Sequence, residues 1–476
     1  MDMLTIAMRS PGNTLVDVTA FGAVGDGVTD STDAIQVAAA SRGPGGTVHI
    51  PSGVTILTRP FTLPNGVSLV VDGVLRGAVG NSALREWPTV PPLPTYGRDR
   101  DGAKPRRYLA LISANGSHHF SIRGRGAIDG QGAWWWGMRG KLKYGRPHLI
   151  ELYACAHVEV ASLTLLNSAF WTLHPVYSEH VTIRRVTIRA PLYAPNTDGI
   201  DPDSSRHVLI EHCDISVGDD HVAIKSGMND VARHGFPRFE TANITVRHNV
   251  MRAGMGISVG SETAGGIRDV RVHENLILGD GWSVGLHLKS AAQRGGVVSR
   301  VSFRNNDVRN TTALMRMAVF GRSTPPTTYA ATAIRDVEWV GNRYRSALDR
   351  KVRSKFLCPG TCTGIVVVDN SVGERGLWQC ERIGSFEAHG NTPAGLEECM
   401  RRSVTATAEA AAEAGDGSRR TKQLTKQLTK RRRSPRGHRK GKRSRGRDGG
   451  EPSTSKKRRY RQFDYKTQSV GWKSGQ

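Results

Sequence analysis

Apolar and polar residues alternate in short runs along most of the chain, and the runs resemble one another. HVEVASLTL around Val158, HVTIRRVTI around Val181, HVLIEHCDI around Val208, NITVRHNVM around Ile244, DVRVHENLI around Val270, RVSFRNNDV around Val301 and DVEWVGNRY around Val337 recur every 23 to 36 residues. Each keeps the two-residue period of a strand, breaks at Asn, His or Arg, and resumes as a second short strand. One such unit cannot bury its apolar face, but stacked copies with strands about 4.8 Å apart build a continuous core. The pattern predicts an all-β fold, a single-stranded right-handed parallel β-helix. SLVVDGVL and HFSIRGRGAIDGQG, earlier in the chain, read as further coils.

One segment breaks the alternation. DSTDAIQVAAASRG, Asp30 to Gly43, has the spacing of an amphipathic helix, capped by Asp or Ser and stopped by Gly. A parallel β-helix exposes unpaired strand edges at its ends, so this helix is expected to cap the N-terminal one. The predicted organisation is an N-terminal extension over 1–15, a β-helix over 16–400 and a basic tail over 401–476.

Charge separates the tail from the rest. The chain of 476 residues carries a formal +25, and residues 401–476 hold 24 Lys and Arg against 6 Asp and Glu. With few apolar residues and dense like charge, the tail is expected to be disordered. Its runs KRRR, RGHRKGKRSRGR and KKRRYR suit a polyanion, either acidic wall polymer or nucleic acid, and resemble nuclear-import signals. No run of eighteen apolar residues occurs, so no membrane span is expected. MDMLTIAMRSPGN is too short and weakly apolar for a secretory signal, whereas six cysteines and three sequons, at Asn115, Asn243 and Asn310, suit export. Cys358 with Cys362, and Cys380 with Cys399, are each spaced for a disulfide, free thiols being the alternative. CPGTC lacks a second pair at zinc-ribbon spacing, which argues against a zinc site there. A monomer is expected.

Two acidic runs carry the candidate chemistry: Asp198 in NTDGIDPD, and Asp219 with Asp220 in VGDDHVAIKSG. Each alone is an ordinary turn sequence. Adjacent carboxylates disfavour each other's ionisation, so a paired set suits chemistry in which one proton is held and another lost. The runs lie about one coil apart, with Met255 in GMGISVGSE one coil later and His287 and Lys289 in GLHLKS one later again, so stacking would set them in one groove. Glycoside hydrolysis uses such a set: a protonated carboxyl supplies the leaving oxygen's proton and an ionised one activates water. A gap of roughly 6.5–9.5 Å is associated with inversion and about 5 Å with retention.

The motifs FGAVGDGVTDSTDAIQ, GGTVHIPSGVT, GRPHLIEL, NSAFWTLHPVYSEHVTIRRVTIRAP, NTDGIDPDSS, ISVGDDHVAIKSG, GISVGSETAGGIRDV and GLHLKSAAQRGG resemble glycoside hydrolase family twenty-eight, the polygalacturonases and relatives, from about Val16 to Cys399. The resemblance implies a parallel β-helix that hydrolyses the galacturonan of pectin with inversion and without a metal or other cofactor, outside the cell or in the wall. It implies Asp219 as general acid, Asp198 and Asp220 as the holders of the nucleophilic water, Asn196 as a support for that geometry, and Lys289 as a contact for the substrate carboxylate. Two positions depart from the family pattern. Met255 stands where Gly-His-Gly is common, and a thioether cannot support a proton. His287 stands in place of an Arg, so its grip on a carboxylate is expected to be single-pronged, and therefore weaker or confined to acid pH.

Other residues admit two readings. Trp134, Trp135 and Trp136 suit either a sugar-stacking platform or packing beside a coil. Arg146 suits substrate or a core acid, and His221 either tunes the dyad or is a turn residue. Two rival functions differ in chemistry: a calcium-dependent pectate-lyase-like β-eliminase whose aspartates ligate metal, and a non-catalytic carbohydrate-binding solenoid. Unsaturated products and loss of activity in chelator would mark the first; Met255 and His287 favour the second, and the three retained aspartates argue against it.

Overall fold

A computed structural model of the chain describes residues 15–97, 104–235, 239–280, 283–291, 294–320, 331–345, 353–373 and 376–409. The basic tail beyond 409 and most of the N-terminal extension lie outside the described residues.

The alternating runs form a parallel β-helix with three strand columns. The first column starts at Leu15–Asp17 and reaches Phe386–His389. The second starts at Phe61–Leu63, and the third runs from Asp26–Asp30 to Arg343–Arg345. Arg353–Val368 bends across two columns, pairing with Ala313–Phe320, Ala333–Val340 and Phe386–His389. All these pairings are parallel; the short pair Thr89–Val90 and Arg107–Tyr108 is antiparallel.

The register is the one the repeats imply. Val158, Val181, Val208, Ile244, Val270, Val301, Val337 and Ile365 are successive partners in the first column. Two residues on, Val160, Ile183, Ile210, Val246, Val272, Phe303, Trp339 and Val367 form a second interior ladder, every member fully buried. Burying such a side chain stabilises by roughly 1.5–3 kcal/mol, and stacking repeats that gain at every rung.

The breaks in the repeats are corners. His248, Glu274, Asn305, Gly341 and Asp369 adopt positive φ at the end of the long strands, turning the chain into the third column. The next residue is Asn at 249, 275, 306, 342 and 370. Each Asn Oδ1 accepts from the backbone N–H of the rung below, as Asn306 does from Asn275 at 3.1 Å, and its Nδ2 donates to the following Asn, 2.9 Å from Asn306 to Asn342. The ladder Asn249–Asn275–Asn306–Asn342–Asn370–Asn391 thus satisfies buried backbone donors that no strand reaches.

The expected cap is a helix over Thr32–Ala40. Asp30 Oδ1 accepts from Thr32 N at 3.0 Å, while Ser31 Oγ accepts from Val24 N. Ile35, Ala38 and Ala39 are buried against the first coils. At the other end a helix covers 396–409. Met400 is buried, and Ser403 Oγ accepts from Ile383 N at 3.1 Å. Both cysteine pairs are disulfides, Cys358–Cys362 and Cys380–Cys399; Cys155 and Cys213 are free and buried. Among the described residues no helix is long and apolar enough to cross a membrane.

One feature had no signal in the alternation. Leu93, Thr95 and Tyr96, from the proline-rich segment after Trp87, lie buried against Phe170, Trp171 and Val176 of the second column. Tyr96 Oη donates to Asp203 at 2.5 Å, Thr95 Oγ1 meets Tyr177 Oη at 2.6 Å, and Thr95 O accepts from Met228 N. The segment roofs the rungs that precede Asp198.

Candidate active site

The second column continues by single bridges from Leu173 through Ile200 to Val222, then to Ile257 and Leu286. Where the chain enters these rungs, Thr172 N donates to Asp198 O, Gly199 N to Asp220 O and Met255 N to Asp219 O. Sequence separation is thereby turned into adjacency. The turn leading to Asp219 passes so close to the preceding loop that a Cβ on Gly218 would lie 2.1 Å from Ala194 O.

One carboxylate oxygen from each of Asp198, Asp219 and Asp220 lies within 4.8 Å of the others. The three are unequal. Asp198 and Asp220 are buried at 3% and 2% exposure, whereas Asp219 is part-exposed. Asp220 accepts from Ser258 Oγ at 2.7 Å and from the Lys289 ammonium. Asp198 Oδ2 lies 3.5 Å from Lys225 Nζ, which also reaches Asp201 at 3.3 Å and Glu262 at 3.6 Å. Among the described residues no lysine lies within ion-pair distance of Asp219; its Oδ1 accepts from Asp220 N at 3.0 Å and its Oδ2 lies 3.5 Å from Asn196 Nδ2.

These surroundings set the protons. Burial, then repulsion from Asp198 and Asp220, pushes Asp219 up to about 8, so its carboxyl is neutral at pH 7. Burial also raises Asp198 against the pull of Lys225, and raises Asp201 well above the ordinary range. Burial would discharge Lys225, but Glu262, Asp201 and Asp198 outweigh it and hold the ammonium charged. The arrangement therefore offers one proton donor facing two carboxylates, each with a cation behind it. A divalent cation would meet two ammonium groups already engaged with Asp198 and Asp220, which makes the donor set a poor calcium site.

The remaining candidates divide. Lys289 sits beside Asp220 and is part-exposed to the groove. Asn196, at positive φ, is held by Arg146, whose guanidinium donates to Asn196 Oδ1 at 3.0 Å and to the carbonyls of Ala169 and Pro195 at 2.9 Å. That orientation turns the Asn196 amide nitrogen toward Asp219. Met255 is 38% exposed, one rung beyond Asp220. His287 pairs with Ser258 on one side and Arg316 on the other and is buried at 2% exposure. Burial, then Lys289 and Arg316, hold its imidazole well below the usual range. His221 is likewise buried and neutral, its Nδ1 accepting from Gly256 N and its Nε2 set 2.7 Å from Ala253 O, so it braces the corner. Of the three tryptophans, Trp135 is core, packed against Trp87 at 4.9 Å, and Trp136 donates to Ser168 O. Sequence reasoning missed Lys225, Asp201, Ser258 and Glu262. Asp201 and Lys225 lie inside the two acidic motifs, and their strand positions were the available signal.

Fold and site together define a parallel β-helix protein with three aspartates gathered at one groove. The model of glycosyl hydrolases family 28 matches residues 97–389, and a rhamnogalacturonase A/epimerase, pectate lyase-like model matches 15–82. The chain belongs to glycosyl hydrolase family 28. It is 39% identical over 318 residues to a probable polygalacturonase of Vitis vinifera, covering 64% of this chain and 62% of that one, so it spans under two thirds of that relative. It is 34% identical over 302 residues to an endo-polygalacturonase of Pectobacterium carotovorum subsp. carotovorum, covering 59% and 69%. Its structure superimposes on a hyperthermoactive exopolygalacturonase from Thermotoga maritima with a TM-score of 0.68 at 26% identity, covering 80% of this chain and 92% of that one.

Proposed function

We propose that the chain is a glycosidase that hydrolyses α-galacturonide linkages of galacturonan, with Asp219 as general acid and Asp198 and Asp220 as the pair that holds and deprotonates the attacking water. The observation that carries this reading is the inequality of the three acids: a part-exposed carboxyl raised to about 8 opposite two buried ones backed by Lys225 and Lys289. A proton is available for the leaving oxygen, and negative charge is available for water. Lys289 is read as a contact for the sugar carboxylate as well as for Asp220. His287, being buried, is assigned to packing beside Lys289 rather than to direct charge pairing.

Single displacement is the proposed stereochemistry, because two carboxylates facing the acid suit a shared water better than a lone nucleophile. The gap of at most 4.8 Å between nearest oxygens lies on the retaining side of the general rule, so the first-formed anomer is the discriminating measurement. Proton NMR should detect the β-anomer of the new reducing end before mutarotation; the α-anomer would overturn the water assignment. Asp219→Asn should abolish release of reducing ends from polygalacturonate, and retained activity would remove Asp219 from its role.

The roof over Phe170 and Trp171 supports attack near a chain end, since a polymer cannot run straight past a covered rung. Mono- or digalacturonate should then dominate from the earliest time points, and an early spread of long oligomers would argue for internal cleavage. Two disulfides and the exposed sequon at Asn115 support an oxidising, extracellular setting.

A further inference from the structure

Two exposed apolar side chains bracket Asp219 along the corner that carries the acids. There the chain crosses from the third column to the second after the strand Thr187–Arg189, again after Asp214–Ser216, and again after Val250–Arg252. The middle crossing holds Asp219 and Asp220. The crossing before it presents Tyr193, 76% exposed, and the crossing after it presents Met255. The three crossings are in contact: Gly218 packs against Ala194 O, and Met255 N donates to Asp219 O at 2.9 Å. Among the described residues Tyr193 is the one exposed Trp, Tyr or Phe.

A tyrosine exposed on a loop is ordinary, but this one has a rigid mount. Ala194 is fully buried, Thr197 Oγ1 donates to Ala194 O at 3.1 Å and accepts from Gly218 N at 3.0 Å, and the Arg146 guanidinium donates to Pro195 O at 2.9 Å. Further along the same loop, Asn196 Nδ2 lies 3.5 Å from Asp219 Oδ2, so Tyr193 is displayed from the segment that touches the acid. Its ring meets Trp136 edge to face, with centroids 6.0 Å apart and planes at 88°, and Trp136 is itself fixed by its bond to Ser168 O. Whichever ring supplies the edge, at least one face of Tyr193 is left to solvent. Holding that face in place before a ligand arrives lowers the ordering cost of binding.

A pyranose ring has apolar C–H faces inside a polar rim, which an aromatic face and an adaptable thioether can receive without charge. The ammonium groups of the acid centre, Lys289 and Lys225, are already paired with Asp220 and Asp198, so affinity for a sugar needs a further source. At the strand spacing the crossings of Tyr193 and Met255 stand roughly 10 Å apart, enough to span a disaccharide. We propose that Tyr193, backed by Trp136, and Met255 form an apolar clamp for the faces of the two sugars that flank the bond protonated by Asp219. The clamp rests on the glycosidase reading above and adds recognition by ring faces to recognition by carboxylate.

The test separates binding from turnover. Trigalacturonate is titrated calorimetrically into the full chain carrying Asp219→Asn, and initial rates on the same oligomer are measured with Asp219 intact. Tyr193→Ala should weaken binding by about 10-fold and raise KM by a similar factor, with kcat within about twofold of the parent. Tyr193→Phe, which keeps the face, should behave as the parent, and Met255→Leu should bind more tightly than Met255→Ala. Because Tyr193 is mostly exposed, its removal should leave the melting temperature unchanged. If the oligomer binds equally well with and without Tyr193, the clamp is overturned while the glycosidase reading stands. A fall in kcat with binding intact would assign Tyr193 to the placement of Asn196 and overturn the clamp as well. A parent that neither binds nor hydrolyses the oligomer would remove the glycosidase reading and the clamp with it.

Discussion

At the scale of single residues, the acid centre is built from charges that burial alone would extinguish. Asp198, Asp201 and Glu262 share Lys225. Removing one partner of a buried ionic group leaves charge uncompensated, at a cost of about 3–5 kcal/mol. Lys225→Met should therefore lower stability by that order in thermal or urea denaturation, and should abolish activity even in preparations that remain folded. Asp219 predicts the opposite sign. Its folded pKa of about 8 exceeds that of an unfolded aspartate, so the native state holds the extra proton and loses relative stability as pH rises from about 4 through 8. Asp219→Asn should be as stable as the parent near pH 4 and more stable at higher pH, the difference growing as pH rises from about 4 to 8 and levelling off above it. In the parent, kcat/KM should fall as pH rises through about 8, when the acid deprotonates. Equal melting temperatures at pH 9 would show that Asp219 does not carry this burden.

At the scale of elements, legibility followed periodicity. The seven repeats predicted both the strands and their register, because a two-residue period fixes which face is interior and stacking leaves one alignment that keeps Val158 over Val181 over Val208. The capping helix was legible from its own period. The corners were seen only as breaks; that consecutive Asn residues would bond one another from rung to rung is a property of stacking, which no single repeat contains. Asn306 is the place to test it. Its amide accepts from Asn275 and donates to Val272 O and Asn342, so Asn306→Ala strands several buried groups. A loss of about 2–4 kcal/mol is expected, with Asn306→Asp recovering only the acceptor half. A loss below 1 kcal/mol would mean water replaces the amide. The roof was illegible for a different reason: WPTVPPLPTYG has no period, and its burial depends on tyrosines and apolar residues of distant coils.

At the scale of the molecule, the acid centre was legible because a solenoid converts sequence spacing into position, which brought Asp198, Asp219, Asp220 and Lys289 together. The buried lysine was not, because a Lys in an apolar strand becomes informative only once the acids around it are located. The same scale governs how the chain meets a polymer. The β-helix supplies a groove, while most of the excess positive charge belongs to the tail, 24 Lys and Arg against 6 Asp and Glu over 401–476. The helix over 396–409 packs on the last coils through Met400 and Ser403, so a truncation that tests the tail without unroofing the core must fall after residue 409. If the tail tethers the enzyme to acidic polysaccharide by charge, the full chain should elute from immobilised pectate at markedly higher salt than the truncated chain, with a steeper dependence of affinity on salt. Initial rates on short oligogalacturonides, which the groove alone can hold, should be the same for both. Equal elution would discard the tether, and retention of the full chain on DNA but not on pectate would assign the tail to nucleic acid instead.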